Sequence, residues 1–234
     1  MSTLPCKPVI SVIIPTLNEA AHIDRVLTAV LRGKAVEVIV ADGGSGDTTT
    51  DKAMTHGVHV CRCTAGRARQ MNRGAALAQG EVLFFLHADS RLPAGYDDII
   101  RHALAGEGVA AGAFSLGIDA ASAGLRFIAG CANLRSRGLG LPYGDQGLFL
   151  RADCFQACGG FPDLPIMEDV VMVRRLRKTG RIVTVPEQIR TSSRRWERLG
   201  ILRTTLINQA IVAGFLLGVP AARLTRWYRH SPPK

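Results

Sequence analysis

The sequence predicts an α/β domain with a mostly parallel central sheet flanked by helices, and three observations predict it. Short β-branched runs alternate with helix-spaced apolar stripes through about the first hundred residues. Polar and acidic residues sit directly behind those runs, at Asn18, Glu19, Asp42, Asp47 and Asp89, where an open α/β sheet places its ligands. The chain has 234 residues, 47% hydrophobic and 21% charged, enough for one sizeable core.

The first strand is Val9–Ile14 (VISVII), a continuous run stopped by Pro15 and buried on both faces. Ile23, Val26, Leu27, Val30 and Leu31 then recur at one helical stripe. A second strand covers Val36–Ala41, breaks at Asp42-Gly43-Gly44-Ser45-Gly46-Asp47, and leads to a helix over Thr49–Thr55 and a short strand at His59–Arg62. Ala68–Ala78 is alanine-rich and helical, ended by Gly80. Glu81–Leu86 (EVLFFL) is a further buried strand, followed by His87-Ala88-Asp89-Ser90. Repeated β-α order implies right-handed crossovers and a crevice at the strand C-termini.

The alternation loosens past residue 105. We expect a strand at Ala111–Ile118, a helix at Ala123–Arg137, a glycine-rich loop at Gly138–Gly147, a strand at Leu148–Arg151 and a basic helix at Asp169–Lys178. No repeat or low-complexity linker interrupts this, so residues 1–198 form one domain and 199–234 an apolar helix with a basic tail. No charge occurs from Thr204 to Ala222, while arginines flank that stretch on both sides. A helix lying on an anionic membrane surface, a helix packed on protein and a true span all remain open for it.

The formal charge of +10 favours anionic partners. Residues 190–234 carry nine basic side chains against one acidic, net +8, leaving +2 for the rest. With 6% aromatic residues and no basic groove-entering helix, nucleic acid is not an expected partner. Six cysteines without a basic-then-apolar leader suggest a reducing, cytoplasmic setting and unpaired thiols. Cys61-x-Cys63 and Cys154-x3-Cys158 each lack the second pair a zinc site needs.

Acidic side chains at strand ends suit a divalent cation bound together with a nucleotide diphosphate, and Asp89 is the best metal candidate for Mg²⁺ or Mn²⁺. Read alone, Asp89 equally suits a cap for a helix starting near Pro93.

The blocks Ser11–Glu19 (SVIIPTLNE), Val38–Thr48 (VIVADGGSGDT), Asn72-Arg73-Gly74 and Gly80–Asp89 (GEVLFFLHAD) together resemble a family 2 glycosyltransferase of the GT-A fold. Glu168-Asp169 and Arg194-Arg195-Trp196 are similar to the family's later acidic pair and Arg-Trp element. Within the family, the chain resembles small bacterial members associated with radical-SAM and selenodomain proteins.

The resemblance implies that Pro15, Asn18 and Glu19 line a nucleotide pocket in which Asp42 meets the base, most readily uracil. Asp47 either assists there or caps the helix near Thr48. Arg69 and Asn72, one turn apart, are placed to reach the diphosphate; the other reading is a solvated helix face, as for Arg67 and Arg73. The family's Asp-x-Asp metal motif is His87-Ala88-Asp89 in this chain. His87 therefore either shifts the metal preference towards Mn²⁺, contacts sugar or ribose, or is a satisfied core histidine.

By the same resemblance, Asp169 is the general base for the acceptor hydroxyl with Glu168 beside it, against the plainer reading of helix-dipole acids. Asp145 and Gln146 either meet sugar hydroxyls or make a tight turn. Arg195 and Trp196 either close over the diphosphate or belong to the collar of the apolar helix. The function expected is inverting transfer of a sugar from a nucleotide-sugar donor, a UDP-sugar first, to a hydroxyl that is lipid-linked, membrane-proximal or soluble. Peripheral contact at the inner face of the cell membrane goes with the first two acceptors. The alternatives are a nucleotidyltransferase, although the expected Gly-rich phosphate loop is replaced by Pro15-Thr16-Leu17-Asn18-Glu19, and a silent membrane-surface binding protein.

Overall fold

A computed structural model describes residues 10–118, 122–192, 196 and 199–229. Seven strands form one sheet: β1 (Ile10–Thr16), β2 (Val36–Asp42), β3 (His59–Arg62), β4 (Val82–Phe85), β5 (Val109–Ile118), β6 (Leu148–Arg151) and β7 (Arg181–Thr191). Their order is β3-β2-β1-β4-β6-β5-β7. β6 runs antiparallel to β4 and β5, and the other pairings are parallel.

The helices are α1 (Ile23–Val30), α2 (Thr49–Thr55), α3 (Arg67–Leu77), α4 (Tyr96–Leu104), α5 (Ala123–Leu139), α6 (Ala152–Ala157), α7 (Glu168–Leu176), α8 (Ile201–Leu216) and α9 (Ala221–Arg229). The period of two along β1 divides the core into its two layers. Ile10, Val12 and Ile14 pack with Ile23, Val26 and Leu27 of α1 and Ile100 of α4. Ile13 faces the other way, towards Met71 of α3, Phe155 of α6 and Met172 and Val173 of α7. Each such fully buried aliphatic side chain stabilises the fold by about 1.5–3 kcal/mol.

The predicted elements of the first half are present within a few residues of their expected ends. The second half departs in three places. β7 and α6 were not expected; Pro186 interrupts β7, and the pairing of β5 with β7 shifts register between Phe114 and Ser115, as Pro at a sheet edge requires. The expected loop at 138–147 instead holds the end of α5 and a 3-10 turn at Gly144–Gln146. The uncharged stretch is split at Leu217–Pro220 into α8 and the start of α9, and no described helix is long and apolar enough to cross a membrane. Among the described residues five cysteines are free.

Candidate active site

The topology dictates where a cleft forms. β2 and β3 lie to one side of β1 and β4 to the other, so the chain reverses direction across the sheet between β1 and β4. Pairing of β1 with β4 ends at Ile13↔Phe85, whereas β1 stays paired to β2 as far as Thr16↔Asp42. Pro15 occupies the part of β1 beyond β4, where its missing N–H costs no ladder bond to that neighbour.

The loops after β1 and β2 are tied together by their own polar groups. Buried Asp42 accepts from the Gly44 and Ser45 amides, both at 2.9 Å, from Ser45 Oγ at 2.5 Å and from Thr16 Oγ1 at 3.2 Å. Burial pushes its pKa up, but these hydrogen bonds outweigh it and hold the carboxyl below the usual range. Asn18, in the left-handed region at φ 56°, accepts from the Gly46 amide through Oδ1 and donates its own N–H to Ser45 Oγ. The Glu19 amide donates to Thr49 Oγ1. Asp47 accepts from the Thr49 hydroxyl and amide and from the Ala20 amide, so the helix-capping reading of this residue describes its place.

Helix α3 joins this half of the cleft to the other. Gln70 Nε2 donates to the carbonyls of Thr16 (2.7 Å) and Ala41 (2.9 Å) at the ends of β1 and β2. Arg67, the first residue of α3, reaches three partners: Nε donates to Glu168 Oε1 (2.5 Å), Nη1 to His87 Nε2 (3.1 Å) and Nη2 to Asp169 Oδ2 (3.5 Å). A cation in a first turn opposes the helix dipole, so Arg67 is not there to stabilise α3. It is the functional residue that sequence reading left on a solvated face.

Arg69 and Asn72 both hold the chain between α6 and α7. Asn72 bonds both backbone groups of Phe161, and Arg69 makes a two-pronged, exposed ion pair with Asp163. Both anchor the segment that enters α7, and Arg175 fastens it again at the Cys158 and Gly160 carbonyls.

That segment delivers the acidic pair. Met167 adopts φ 68°, unfavourable for a bulky side chain, immediately before Glu168. Glu168 is buried, with 3% of its side chain exposed, against 14% for Asp169. Burial raises the Glu168 pKa while Arg67 opposes the rise. Asp169 Oδ2 also accepts from the Gly144 amide at 2.7 Å. A Cβ on Gly144 would stand 2.8 Å from Arg67 Nη2 and 3.1 Å from Asp169 Oδ2, so only glycine lets this backbone approach. Arg67, His87, Tyr143, Gly144 and Asp169 line one small pocket together with the apolar side chains Met71, Phe85, Leu148, Phe161 and Val173.

Gln146 corrects an expectation. It is fully buried, its amide donating to Phe114 O and Ser136 Oγ and accepting from the Tyr143 N–H, so it shapes the turn and meets no sugar. Asp145 keeps Oδ1 buried without a hydrogen-bond partner. Burial first, and the charge of Asp169 second, push its pKa up.

Arg67 can only donate, so His87 Nε2 accepts and the ring is neutral with its proton on Nδ1. Burial and then the Arg67 charge lower the His87 pKa to about 3. Its Nε2 lone pair is thus engaged, and of the two polar side chains of the motif the Asp89 carboxylate has the oxygen chemistry that suits a hard cation. Ser90 N–H closes a turn onto the His87 carbonyl, and that turn carries half-buried Asp89. Among the described residues no three His, Cys, Asp or Glu side chains gather as a cation cage. One carboxylate fits a cation that takes its remaining ligands from water and a substrate diphosphate. Trp196 is half-buried with its indole N–H unpartnered, while Arg195 lies outside the described residues.

Comparison with known proteins places this site in context. A PGL/p-HBAD biosynthesis glycosyltransferase of Mycobacterium bovis (strain BCG / Pasteur 1173P2) is 39% identical over 94 residues, covering 36% of this chain and 37% of that protein. The match thus spans little more than a third of that relative's length. Among solved structures, a Pyrobaculum calidifontis mannosyltransferase in complex with GDP-Man and Mn²⁺ superposes with a TM-score of 0.65 at 19% identity, covering 97% of this chain and 72% of that one. S. aureus TarS 1-349 in complex with UDP gives a TM-score of 0.63 at 16% identity, covering 79% and 60%. Those likenesses show a shared fold. Residues 11–121, just under half of the chain, match the model of Glycosyl transferase family 2, a stretch that runs from β1 to β5 and holds Asp42, Arg67 and Asp89; over it the chain is similar to that family, and its fold is the GT-A fold.

Proposed function

We propose that the protein is an inverting glycosyltransferase that moves a sugar from a nucleotide-sugar donor, a UDP-sugar first, to an acceptor hydroxyl. The observation that carries this reading is the meeting of Arg67 with His87, Glu168 and Asp169 at the β1/β4 reversal, on the same helix whose Gln70 holds the Asp42 side. The donor class draws support from the neighbours, whose complexes hold GDP-Man, UDP and UDP-GlcNAc.

In this mechanism the nucleoside lies against the β1 and β2 loops, with Pro15, Asn18, Glu19 and Asp42 around it. The diphosphate extends towards Asp89 and Arg67. Asp169 takes the proton of the acceptor hydroxyl as that oxygen attacks the anomeric carbon from the face opposite the leaving nucleoside diphosphate. Partly exposed Arg67 stabilises charge developing on the leaving group. Buried Glu168 holds the guanidinium in place, and Gly144 N–H fixes the carboxylate that acts. Asp89 would hold Mg²⁺ or Mn²⁺, which when bound neutralises diphosphate charge. Arg195 and Trp196 are assigned to closure over the site.

The acceptor is read as lipid-linked or membrane-proximal, with residues 199–234 as the peripheral contact on the inner membrane face; the exposed leucines of α8 support this. Incubation with UDP- and GDP-sugars tests the reaction. Release of free nucleoside diphosphate with inverted product is the expected result. Pyrophosphate release would instead identify nucleotidyl transfer, and binding without turnover a silent protein.

A further inference from the structure

A groove of about 470 Å³ lies away from the cleft, between α7 and the corner joining α8 to α9. One wall is basic: Arg174 of α7 and Lys178 just past its C-terminal end, with Val171 also lining the groove. The other wall is apolar: Phe215, Val219 and Ala221. Arg175 also lines the groove, but its guanidinium is bonded to the Cys158 and Gly160 carbonyls.

The corner beside the groove is as unusual as the groove. Leu217 is 85% exposed and Leu216 53%, and Gly218, at φ 85°, turns the chain out of α8. Leu202 and Leu206 continue an exposed apolar line along α8. Arg223 and Arg226 are exposed at the start of α9. The apolar ridge is therefore bordered by cations from two separate parts of the chain. Asp163, next in sequence to Leu164 of the groove lining, is paired with Arg69.

We infer that the α8–α9 corner and the basic edge of α7 form one docking surface for an anionic lipid bilayer, with Leu216 and Leu217 entering the interfacial layer and lipid phosphates held by Arg174 and Lys178. This deepens the membrane-contact reading above and rests on it; what is new is the part played by α7, the helix that carries Asp169 at its other end. Charge decides the occupant. A second copy would set the same cations against one another, whereas an anionic leaflet complements them and accepts the leucines. Docking through α7 also fixes the catalytic end of that helix relative to the membrane, where a lipid-linked hydroxyl would be presented.

Co-sedimentation of the full chain with phosphatidylcholine vesicles, with and without about one-third phosphatidylglycerol, tests this. The protein is expected to pellet with the anionic vesicles, to be released by added salt, and to stay in the supernatant with neutral vesicles. Leu217→Asp and the double variant Arg174→Glu/Lys178→Glu should each weaken binding by about tenfold or more while keeping the wild-type melting curve. If Leu217→Asp releases the protein but the α7 variant binds like wild type, the tail alone makes contact and the inference is overturned. If the wild type binds no anionic vesicle, the membrane reading falls with it and nucleotide-sugar turnover remains as the separate test of the reaction. Dimerisation by light scattering that Leu217→Asp abolishes would assign the surface to a second copy and overturn the inference as well.

Discussion

Arg67 Nη1 lies 3.1 Å from His87 Nε2, and this contact makes a histidine in the metal motif an acceptor for a guanidinium. The same guanidinium holds Glu168 and touches Asp169, so residues from α3, the end of β4 and the start of α7 share one charged group. The site is thereby organised around a cation that belongs to the chain itself.

Replacing that cation should disconnect all three. Arg67→Met is expected to lower kcat by about 10²–10³, the cost of losing one preorganised charge-stabilising donor. Arg67→Lys keeps the charge but not the fork, and should recover part of the rate only. NMR titration of His87 adds an independent readout, because its pKa should rise in Arg67→Met as the repelling charge goes while burial remains. A histidine that titrates as before would separate Arg67 from the motif.

The two acids of the pair should respond differently. Asp169→Asn is expected to leave donor affinity nearly intact and to reduce transfer by about 10²–10⁴, the range for a positioned base. Glu168→Gln takes a buried carboxylate from Arg67, whose partly exposed guanidinium keeps Asp169, so the cost is about 1–3 kcal/mol. Its first signature is therefore a lower Tm. Should Asp169→Asn turn over normally, the base lies elsewhere.

The first half of the chain was legible because its signals are local. Val9–Ile14 stops at a proline, the stripe from Ile23 to Leu31 has a single period, and Asp42 and Asp89 directly follow buried strands. β7 was not legible: Pro186 breaks its run, and only pairing along β5 makes Arg181–Thr191 a strand. Arg67 escaped for a related reason. Its three partners lie 20, 101 and 102 residues away, and no spacing along one helix reports them. One local sign was available, a cation in a first turn without an acid, where the helix dipole offers it nothing. Asn72 misled in the opposite direction, since a polar residue in the expected block proves to hold the Phe161 backbone.

Asp145 gives a prediction with a definite sign. Its folded-state pKa is raised above the usual 3.8 by burial and by Asp169. Stability from this group is complete below the unfolded pKa and is lost as pH rises through the raised folded value. Asp145→Asn cannot ionise and should escape that loss. Thermal melts should show the variant gaining on the wild type over the pH interval above the usual carboxylate range. A constant gap across that interval would mean that the carboxyl is ionised at no cost.

Gly144→Ala isolates the close approach. Its backbone is not in the left-handed region, so alanine costs the turn little, but the new Cβ meets Arg67 Nη2 at 2.8 Å and Asp169 Oδ2 at 3.1 Å. Something must move, and the far end of Arg67 is the most flexible part. We expect an unfolding free energy within about 1 kcal/mol of wild type and a kcat lower by at least tenfold, with donor KM less affected. Activity equal to wild type would show that Arg67 and Asp169 tolerate displacement.

The cation can be tested through binding alone. Asp89 is the carboxylate that remains in the motif, since the His87 Nε2 lone pair is engaged by Arg67. A site with one protein carboxylate needs the diphosphate to complete it, so Mn²⁺ or Mg²⁺ should bind weakly to the free protein and far more tightly with nucleoside diphosphate present. Calorimetry should show that synergy for the wild type, and Asp89→Ala should remove it while leaving cation-free nucleotide binding in place. His87→Gln should preserve the synergy, because Nε2 is not a ligand here. Loss of synergy in His87→Gln with retention in Asp89→Ala would reverse the two roles and assign the cation to the imidazole.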